Sequence, residues 1–474
     1  MKKVEWALIV LASLLTFVLV YSPHFSYPWP LHADEWHHIT EAKKLGAGEY
    51  SWGSIGYRFG FHVILLGLSK IIDLVSVYQF LPAIWAVISG LTLFYVVNKK
   101  TKNFWIAFFA LFFFASLKSN VNILGLWFFT PLTFSIPFIF LYIYWFSEGF
   151  ALHNKKYLLF SLGIMLFLVF VYPLSVLFAL PFLLVYSLWH FSFIKKEWKF
   201  FSIFLLVPIA GLALFAYMNN LSFFITIGSL LDSLIFSKEW GVLVFDNSFL
   251  EIYSLIGYAL AGVGFFALLL NKKGKFNSSY IIYLLWPLLV LVSIFIFYIF
   301  DVSFLVPYQR NLYYFVLSMP LLSAYGLTAL LSKLRSFVSD SGKYAIRILL
   351  ILVAIIVLFF SFLFYYSIPG KVGVYHVIDE QDYRALRYLS SLEKGRVMAT
   401  AEVSTAVYVL TGNRPVASLY FYGDRNVLEQ FFDGDCALKN EIARRERVKY
   451  IFTSEKMECG WKLLYDEQRY IYRV

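Results

Sequence analysis

Two adjacent carboxylates, Asp34 and Glu35, stand at the head of a run that continues with Trp36, His37 and His38. They follow the first hydrophobic segment of a chain that otherwise keeps acids out of its apolar runs. An ionised aspartate at a water-accessible surface can accept the proton of a hydroxyl group, which is the task of a general base. Capping of a helix explains one acid, but not the pair followed by two histidines. We therefore predict that Asp34 is catalytic and that Glu35 orients it or the molecule carrying the hydroxyl.

Histidines are concentrated near the same acids. Five of the eight fall between residues 22 and 77, and two acid and histidine pairs are spaced four residues apart, Asp34 with His38 and His37 with Glu41. On a helix each pair shares one face and can bind a divalent metal ion. Interfacial histidines also serve as plain hydrogen-bond partners, and no complete ligand set is defined. His37 and His38 are therefore metal-ligand candidates for an unidentified metal.

Composition sets the environment in which these residues work. The chain of 474 residues is 60% hydrophobic and 21% aromatic, with a mean hydropathy of +0.71. Apolar runs of about 20 residues recur along it, and in a bilayer such runs form helices because backbone polar groups must be bonded within the segment. Strand-like alternation is not visible in them. The sequence predicts an all-α polytopic membrane domain.

The positive charge of the chain follows from membrane topology. The formal net charge is +11, yet residues 1–366 carry 24 Lys and Arg against 14 Asp and Glu, whereas residues 367–474 carry 16 against 15. Most cations of the first part lie in short clusters between apolar runs, as is typical of cytoplasmic loops. This distribution argues against a nucleic-acid partner and indicates the sidedness of the protein.

The apolar runs predict about eleven transmembrane helices, with a cytoplasmic N-terminus and an extracytoplasmic C-terminus. The first, at 4–21, is interpreted as an uncleaved signal-like helix. The outer loop 22–77 then holds two amphipathic stretches, 34–46 and 58–72, which fit helices at the membrane surface. Further crossings are expected at about 78–98, 103–117, 126–147, twice between 155 and 196 with a turn near Tyr172, and at 200–217, 252–270, 280–299, 311–331 and 346–366.

The last hundred residues differ in character. Their local patterns alternate, with a helix at 382–389, strands at 396–400 and 449–453, and a hairpin over 463–474. We predict a membrane domain over 1–370 and a small extracytoplasmic α/β domain over 371–474. Cys436 and Cys459, the two cysteines of the chain, are expected to form a disulfide if this segment is extracytoplasmic; the alternative is two buried thiols.

A long first outer loop that opens with Asp34 and Glu35 at the start of a surface helix, on a chain of about a dozen helices, resembles the integral-membrane glycosyltransferases of the C-type (GT-C) fold. Protein O-mannosyltransferases and lipid A aminoarabinose transferases are the most similar in organisation. The resemblance implies that Asp34 is the catalytic carboxylate, that the donor is a sugar on a polyprenyl phosphate such as dolichyl phosphate, and that transfer inverts the anomeric centre. The Trp-Trp-Asp-x-Gly signature of oligosaccharyltransferases is absent, which argues against that branch.

A phosphate leaving group needs a cation at the outer face, because charge accumulates on it as the glycosidic bond breaks. Arg310 stands at the outer entrance of a late helix, and the segment that follows it, with Pro320 and Gly326, resembles the donor-binding segment of the same family. Lys118 and Arg58 are weaker candidates for the same phosphate. Any of these cations could instead extend to lipid headgroups.

We therefore predict inverting sugar transfer from a polyprenyl-phosphate donor to a protein, lipid or glycan acceptor at the outer face of the cell membrane. The residues expected to contact acceptor or sugar are Trp36, His37, His38 and His62. The alternative is a multi-pass transporter or lipid flippase, a class that favours internal repeats and charges near the bilayer midplane. A non-catalytic scaffold or receptor would leave the acidic pair without a role.

Overall fold

The structure is a computed structural model of the chain. It describes residues 2–49, 58–119, 123–218, 252–270, 280–336, 376–419 and 423–474, together with isolated positions between 222 and 237 and at 348, 352 and 356. The chain divides into two compact units. The helical unit comprises Met1–Ser22, Ile55–Phe61 and Phe80–Ser367, and the α/β unit comprises Pro23–Ser54, His62–Gln79 and Ile368–Val474.

Helices account for most of the described chain. In chain order they are α1 (Lys3–Tyr21), α2 (Ala33–Gly46), α3 (Phe59–Ser69), α4 (Leu74–Val77), α5 (Leu81–Thr101), α6 (Phe104–Phe114), α7 (Pro131–Ala151), α8 (Lys155–Val171), α9 (Leu174–Leu177), α10 (Leu180–Trp189), α11 (Phe191–Lys196), α12 (Trp198–Met218), α13 (Leu255–Leu269), α14 (Ile281–Phe300), α15 (Tyr308–Ser336), α16 (Glu380–Ser390), α17 (Ala401–Thr411), α18 (Arg425–Asp433) and α19 (Cys436–Arg445).

Five stretches of the described residues are long and apolar enough to cross a membrane. They are Lys3–His24, Leu74–Thr101, Pro131–Ala151, Ile281–Phe300 and Tyr308–Lys333. Shorter apolar helices, such as the eleven-residue α6, occupy several of the other expected crossings. The expected crossing at 346–366 falls almost entirely outside the described residues. The structure thus has membrane-spanning character, and the count of eleven stays a prediction.

Several boundaries follow from local signals in the sequence. Asn103 caps α6 by accepting the backbone N–H groups of Trp105 and Ile106, and Asn154 caps α8 in the same way through Lys156. Both are residue types preferred at this position. The apolar run after residue 155 breaks at Tyr172 and Pro173, as expected from the charge pattern.

Two helices of the helical unit approach each other at glycines. Gly264 on α13 and Gly326 on α15 face one another so closely that a Cβ on either would overlap a backbone carbonyl oxygen of the other helix. Nearby, the Ser323 hydroxyl donates to the Gly257 carbonyl oxygen at 2.8 Å and lies 3.0 Å from the Tyr253 hydroxyl. Small residues with hydrogen-bonding serines are the usual means by which membrane helices pack closely.

The C-terminal part of the α/β unit is built on a five-stranded sheet, with α16 to α19 among its strands. Its strand order is β4, β3, β5, β7, β6, for β3 (Arg396–Met398), β4 (Arg414–Pro415), β5 (Tyr450–Thr453), β6 (Lys462–Asp466) and β7 (Tyr470–Arg473). Central β5 pairs in parallel with β3 and antiparallel with β7, and all four of its residues are buried. A separate two-stranded ribbon in the helical unit joins β1 (Ile235–Ser237) to β2 (Val302–Phe304).

The helix, strands and terminal hairpin predicted for this region are all present. Its core combines Met398, Leu428, Phe431, Ile451 and Tyr472. A disulfide joins the start of α19 to the segment before β6, pairing Cys436 with Cys459 at a Cα separation of 5.2 Å. The domain boundary predicted near residue 370 lies outside the described residues. The compact unit that holds the sheet also includes Pro23–Ser54 and His62–Gln79, a grouping that the sequence did not indicate.

Replacing Gly264 by alanine should lower the melting temperature of the detergent-solubilised protein, because the added methyl group collides with the backbone of α15. Overpacking of this kind costs about 1–3 kcal/mol. Gly262 on the same helix is the matched control, since nothing lies within 4 Å of a Cβ at that position, and alanine is favoured over glycine in helices by roughly 1 kcal/mol. Equal melting temperatures of Gly264→Ala and Gly262→Ala would contradict the close contact between α13 and α15.

Candidate active site

The predicted catalytic acid lies in the first turn of α2. The helix begins at Ala33 because its N-terminal amides are capped locally: the His32 Nδ1 atom accepts the backbone N–H of Asp34 at 3.1 Å. In return, Glu35 Oε2 accepts the backbone N–H groups of Leu31, at 2.8 Å, and of His32, at 3.1 Å. This reciprocal arrangement is a capping box, with histidine in the place usually taken by serine or threonine. It fixes the backbone on both sides of Asp34.

The two acids differ in exposure. The Asp34 side chain retains 16% of its accessible surface, and its Oδ1 atom lies 4.0 Å from Nδ1 of His32, whereas Glu35 is fully buried. The partial positive charge at a helix N-terminus favours the ionised form of an acid in the first turn. Burial raises the pKa of the nearby Tyr27 phenol, and the charge of Glu35 raises it further. Asp34 is thus the acid of the pair that reaches the surface.

Three predicted histidines come together in the α/β unit. His38 Nδ1 lies 2.9 Å from His62 Nε2, and both side chains are buried. The ring of His37 is centred 5.5 Å from that of His38 and 6.2 Å from that of His62. This contact links α2 to α3. In the part of the chain that the structure describes, no group of three or more His, Cys, Asp or Glu side chains has the geometry of a metal site.

Trp36, which the sequence predicts to contact sugar, lies inside the protein. Its side chain is fully buried, and its indole N–H donates to the Pro30 carbonyl oxygen at 3.0 Å. A buried tryptophan whose polar atom is already bonded within its own unit anchors packing. The structure therefore favours a packing role for Trp36 over the predicted contact with sugar.

The far end of α2 is fastened to the C-terminal part of the chain. Lys43 Nζ donates to the Val409 carbonyl oxygen in the last turn of α17 at 2.7 Å, where a cation also complements the helix dipole. Burial lowers the pKa of the Lys43 ammonium, and the charge of Asp73 opposes that shift. Beyond the helix, Glu49 pairs with Arg414 at 3.1 Å. Sequence reasoning missed these contacts, because nothing local signals a partner more than 360 residues away.

Aromatic contacts also join the segment before α2 to the C-terminal part of the chain. Tyr27 stacks on His376 with ring centres 3.9 Å apart, and its hydroxyl accepts the backbone N–H of Ile378 at 3.3 Å. Trp29 packs against Tyr383 on α16. The chain on either side of Asp34 is thus held by residues from the C-terminal segment.

The three candidate phosphate-binding cations belong to the helical unit. Arg310, at the start of α15, donates from Nη1 to the Ile123 carbonyl oxygen at 2.7 Å and is half-buried. Lys118 is only 4% exposed, and its backbone N–H donates to the Ile252 carbonyl oxygen. Arg58 immediately precedes α3. The predicted binding of the donor phosphate by Arg310 stays a prediction.

The architecture of apolar helices followed by a small mixed sheet with helices can be compared with solved structures. The chain is similar in fold to solved structures of the Archaeoglobus fulgidus oligosaccharyltransferase, which supports the predicted resemblance to the GT-C integral-membrane glycosyltransferases. AglB from that organism, in complex with an inhibitory peptide and a dolichol-phosphate, matches with a TM-score of 0.62 and 13% identity, over 96% of this chain and 69% of that one. The same enzyme tethered to an acceptor peptide containing the NVT sequon matches with a TM-score of 0.60 and 14% identity over the same shares.

A third structure, the complex of that oligosaccharyltransferase with Zn and sulfate, matches with a TM-score of 0.60 and 13% identity, over 94% of this chain and 68% of that one. No family model matches the sequence, and no curated protein matches it either. Fold similarity at this identity establishes the architecture alone. It does not decide between the oligosaccharyltransferase branch and the two branches favoured by the sequence.

Replacing Lys43 by methionine should loosen α2 from α17. The variant loses a partly buried, charge-assisted hydrogen bond and leaves the Val409 carbonyl oxygen without that donor, a loss of about 1–2 kcal/mol. We expect faster amide hydrogen exchange in both helices and a lower melting temperature. Lys456→Met, at an exposed position of the same unit, is the control. Unchanged exchange in α2 and α17 would show that this contact does not hold them together.

Proposed function

We propose that the protein transfers a sugar from a polyprenyl-phosphate donor to a hydroxyl-bearing or amide-bearing acceptor at the extracytoplasmic membrane surface, with inversion of the anomeric centre. The observation that carries this proposal is the position of Asp34: a surface-reaching carboxylate in a rigidly capped first turn, on a chain with the GT-C fold. The fold similarity supports a transferase over the transporter or flippase considered from the sequence.

The proposed reaction is a single displacement. Asp34 takes the proton of the acceptor group as that group forms a bond to the anomeric carbon, and the bond from that carbon to the phosphate oxygen breaks. The released lipid phosphate carries the negative charge, which Arg310 is proposed to stabilise, with Lys118 and Arg58 as further candidates. The proton then passes from Asp34 to water.

The proposed acceptor and donor follow from the ligands of the structural neighbour. The structural neighbour was solved with an acceptor peptide and with a dolichol-phosphate, which supports a lipid-linked donor and a protein acceptor; lipid and glycan acceptors remain alternatives. His37, which is half-buried and lies in the same unit as Asp34, is proposed to contact the acceptor. His38 and His62 are buried and bonded to each other, and they are proposed to support that side of the site. Binding of a divalent metal at His37 or His38 stays a prediction, and no step of the proposed sugar transfer depends on it.

We also propose that the N-terminus lies in the cytoplasm, that the chain crosses the membrane eleven times, and that the α/β unit lies outside the cell. The clusters of Lys and Arg between apolar runs support this orientation. The Cys436–Cys459 disulfide supports it as well, because disulfides persist in oxidising compartments.

Replacing Asp34 by asparagine should abolish most of the transfer, because the amide cannot accept the proton. Membranes containing the variant, supplied with polyprenyl-phosphate-linked sugars, should form product at least about 100-fold more slowly than wild type. Asp433→Asn is the control, since it removes the same charge from an exposed position of the same unit. If folded Asp34→Asn gave wild-type product, Asp34 would not be the base and the proposed function would fail.

Single-cysteine labelling should report the orientation of the membrane domain. The two native cysteines are paired, so an introduced thiol is the only free one. Ile71 in the first outer loop is 82% exposed, and Ile71→Cys should react with a membrane-impermeant maleimide added to intact cells. Lys155→Cys, 48% exposed at the start of α8, should react only after permeabilisation. The reverse pattern would invert the topology.

A further inference from the structure

We propose that Glu35 and His32 are positioning residues that hold Asp34 in its reactive orientation, and that Glu35 does not exchange a proton with the substrate. This inference rests on the proposed function, because it gives the two carboxylates of the pair different duties. Sequence adjacency suggests a shared catalytic role, but the contacts of the two side chains point in different directions.

The Glu35 carboxylate is directed back into the loop that precedes the helix. One oxygen, Oε2, accepts two backbone N–H groups, from Leu31 and His32, and none of the side chain reaches the surface. A buried carboxylate with this bonding fixes the course of the chain that enters α2. To reach a substrate it would have to release both amides, one of which belongs to the fully buried Leu31, and an unpaired buried N–H group is costly.

His32 completes the arrangement from the other side. Its Nδ1 atom accepts the backbone N–H of Asp34 itself and lies 4.0 Å from one oxygen of the Asp34 carboxylate. The backbone of Asp34 is therefore bonded to residue 32, whose own backbone is bonded to residue 35. Loss of either cap frees the first turn, and the Asp34 carboxylate moves with it.

The magnitude of the effect follows from the sensitivity of catalysis to geometry. A displacement of about 1 Å costs on the order of 100-fold in rate. Positioning needs an acceptor atom but no negative charge, whereas proton transfer needs the ionisable carboxylate. Amide substitutions therefore separate positioning from proton transfer. Glutamine at position 35 keeps an oxygen that can accept the two backbone N–H groups. Asparagine at position 32 is among the preferred N-cap residues.

Turnover should be measured for Glu35→Gln, Glu35→Ala, His32→Asn and His32→Ala, with rates expressed per folded protein. We expect both amide variants to keep kcat within about 5-fold of wild type. Both alanine variants should lose roughly 10- to 100-fold in kcat, with donor KM little changed, because the acid is displaced and the donor site is not. Rescue by the amide is a result that general destabilisation does not give.

The inference is overturned if Glu35→Gln loses as much activity as Glu35→Ala, since the charge would then be required, or if Glu35→Ala keeps wild-type kcat. Amide hydrogen exchange over residues 31–35 tests the capping independently of activity: Glu35→Ala should lose protection there and Glu35→Gln should retain it. Equal protection in both variants would also overturn the inference. A different variant tests the proposed function itself: if that function were wrong, folded Asp34→Asn would keep wild-type activity.

Discussion

The attachment of α2 to the C-terminal segment is the constraint on which the candidate site depends. A helix of 14 residues is marginal in water on its own, because nucleation is costly and short helices gain few hydrogen bonds. Here its last turns are held by Lys43 on the Val409 carbonyl oxygen, and the loop that precedes it is held by Tyr27 and Trp29 against residues 376–383. An acid in the first turn is only as well placed as the helix that carries it. The C-terminal segment therefore supports α2 within the α/β unit.

Local signals made much of the architecture predictable. The bounds of α2 follow from polar residues at its start and Gly46 at its end, and the hairpin predicted over 463–474 is present as β6 and β7. Apolar runs predicted the five described stretches that are long and apolar enough to cross a membrane, because bilayers demand internal hydrogen bonding. The disulfide between Cys436 and Cys459 was one of two alternatives that the sequence allowed, and the structure contains it. In each case the sequence signal lies within a few consecutive residues or in the composition of a single segment.

The remaining features depend on contacts that no window of sequence contains. Adjacent acids look alike in a sequence, yet the capping geometry buries Glu35 and leaves Asp34 at the surface. Trp36, a candidate for stacking on sugar, is buried with its N–H on Pro30. His38, which i,i+4 spacing paired with Asp34, is bonded to His62 on α3. These outcomes are set by which face of α2 meets its neighbours, and amphipathicity is too weak a signal in so short a helix to decide it.

The contrast between a shared fold and 13–14% identity has a physical cause. Positions facing lipid require only apolar character, so the helical unit can change most of its residues while its hydrogen bonding and span lengths stay the same. Sequence comparison consequently loses the relationship that the backbone retains. A chemical site has no such freedom, because a base needs its carboxylate and its orientation together. The proposed reaction therefore depends on the capped first turn of α2, whereas the fold similarity establishes the architecture alone.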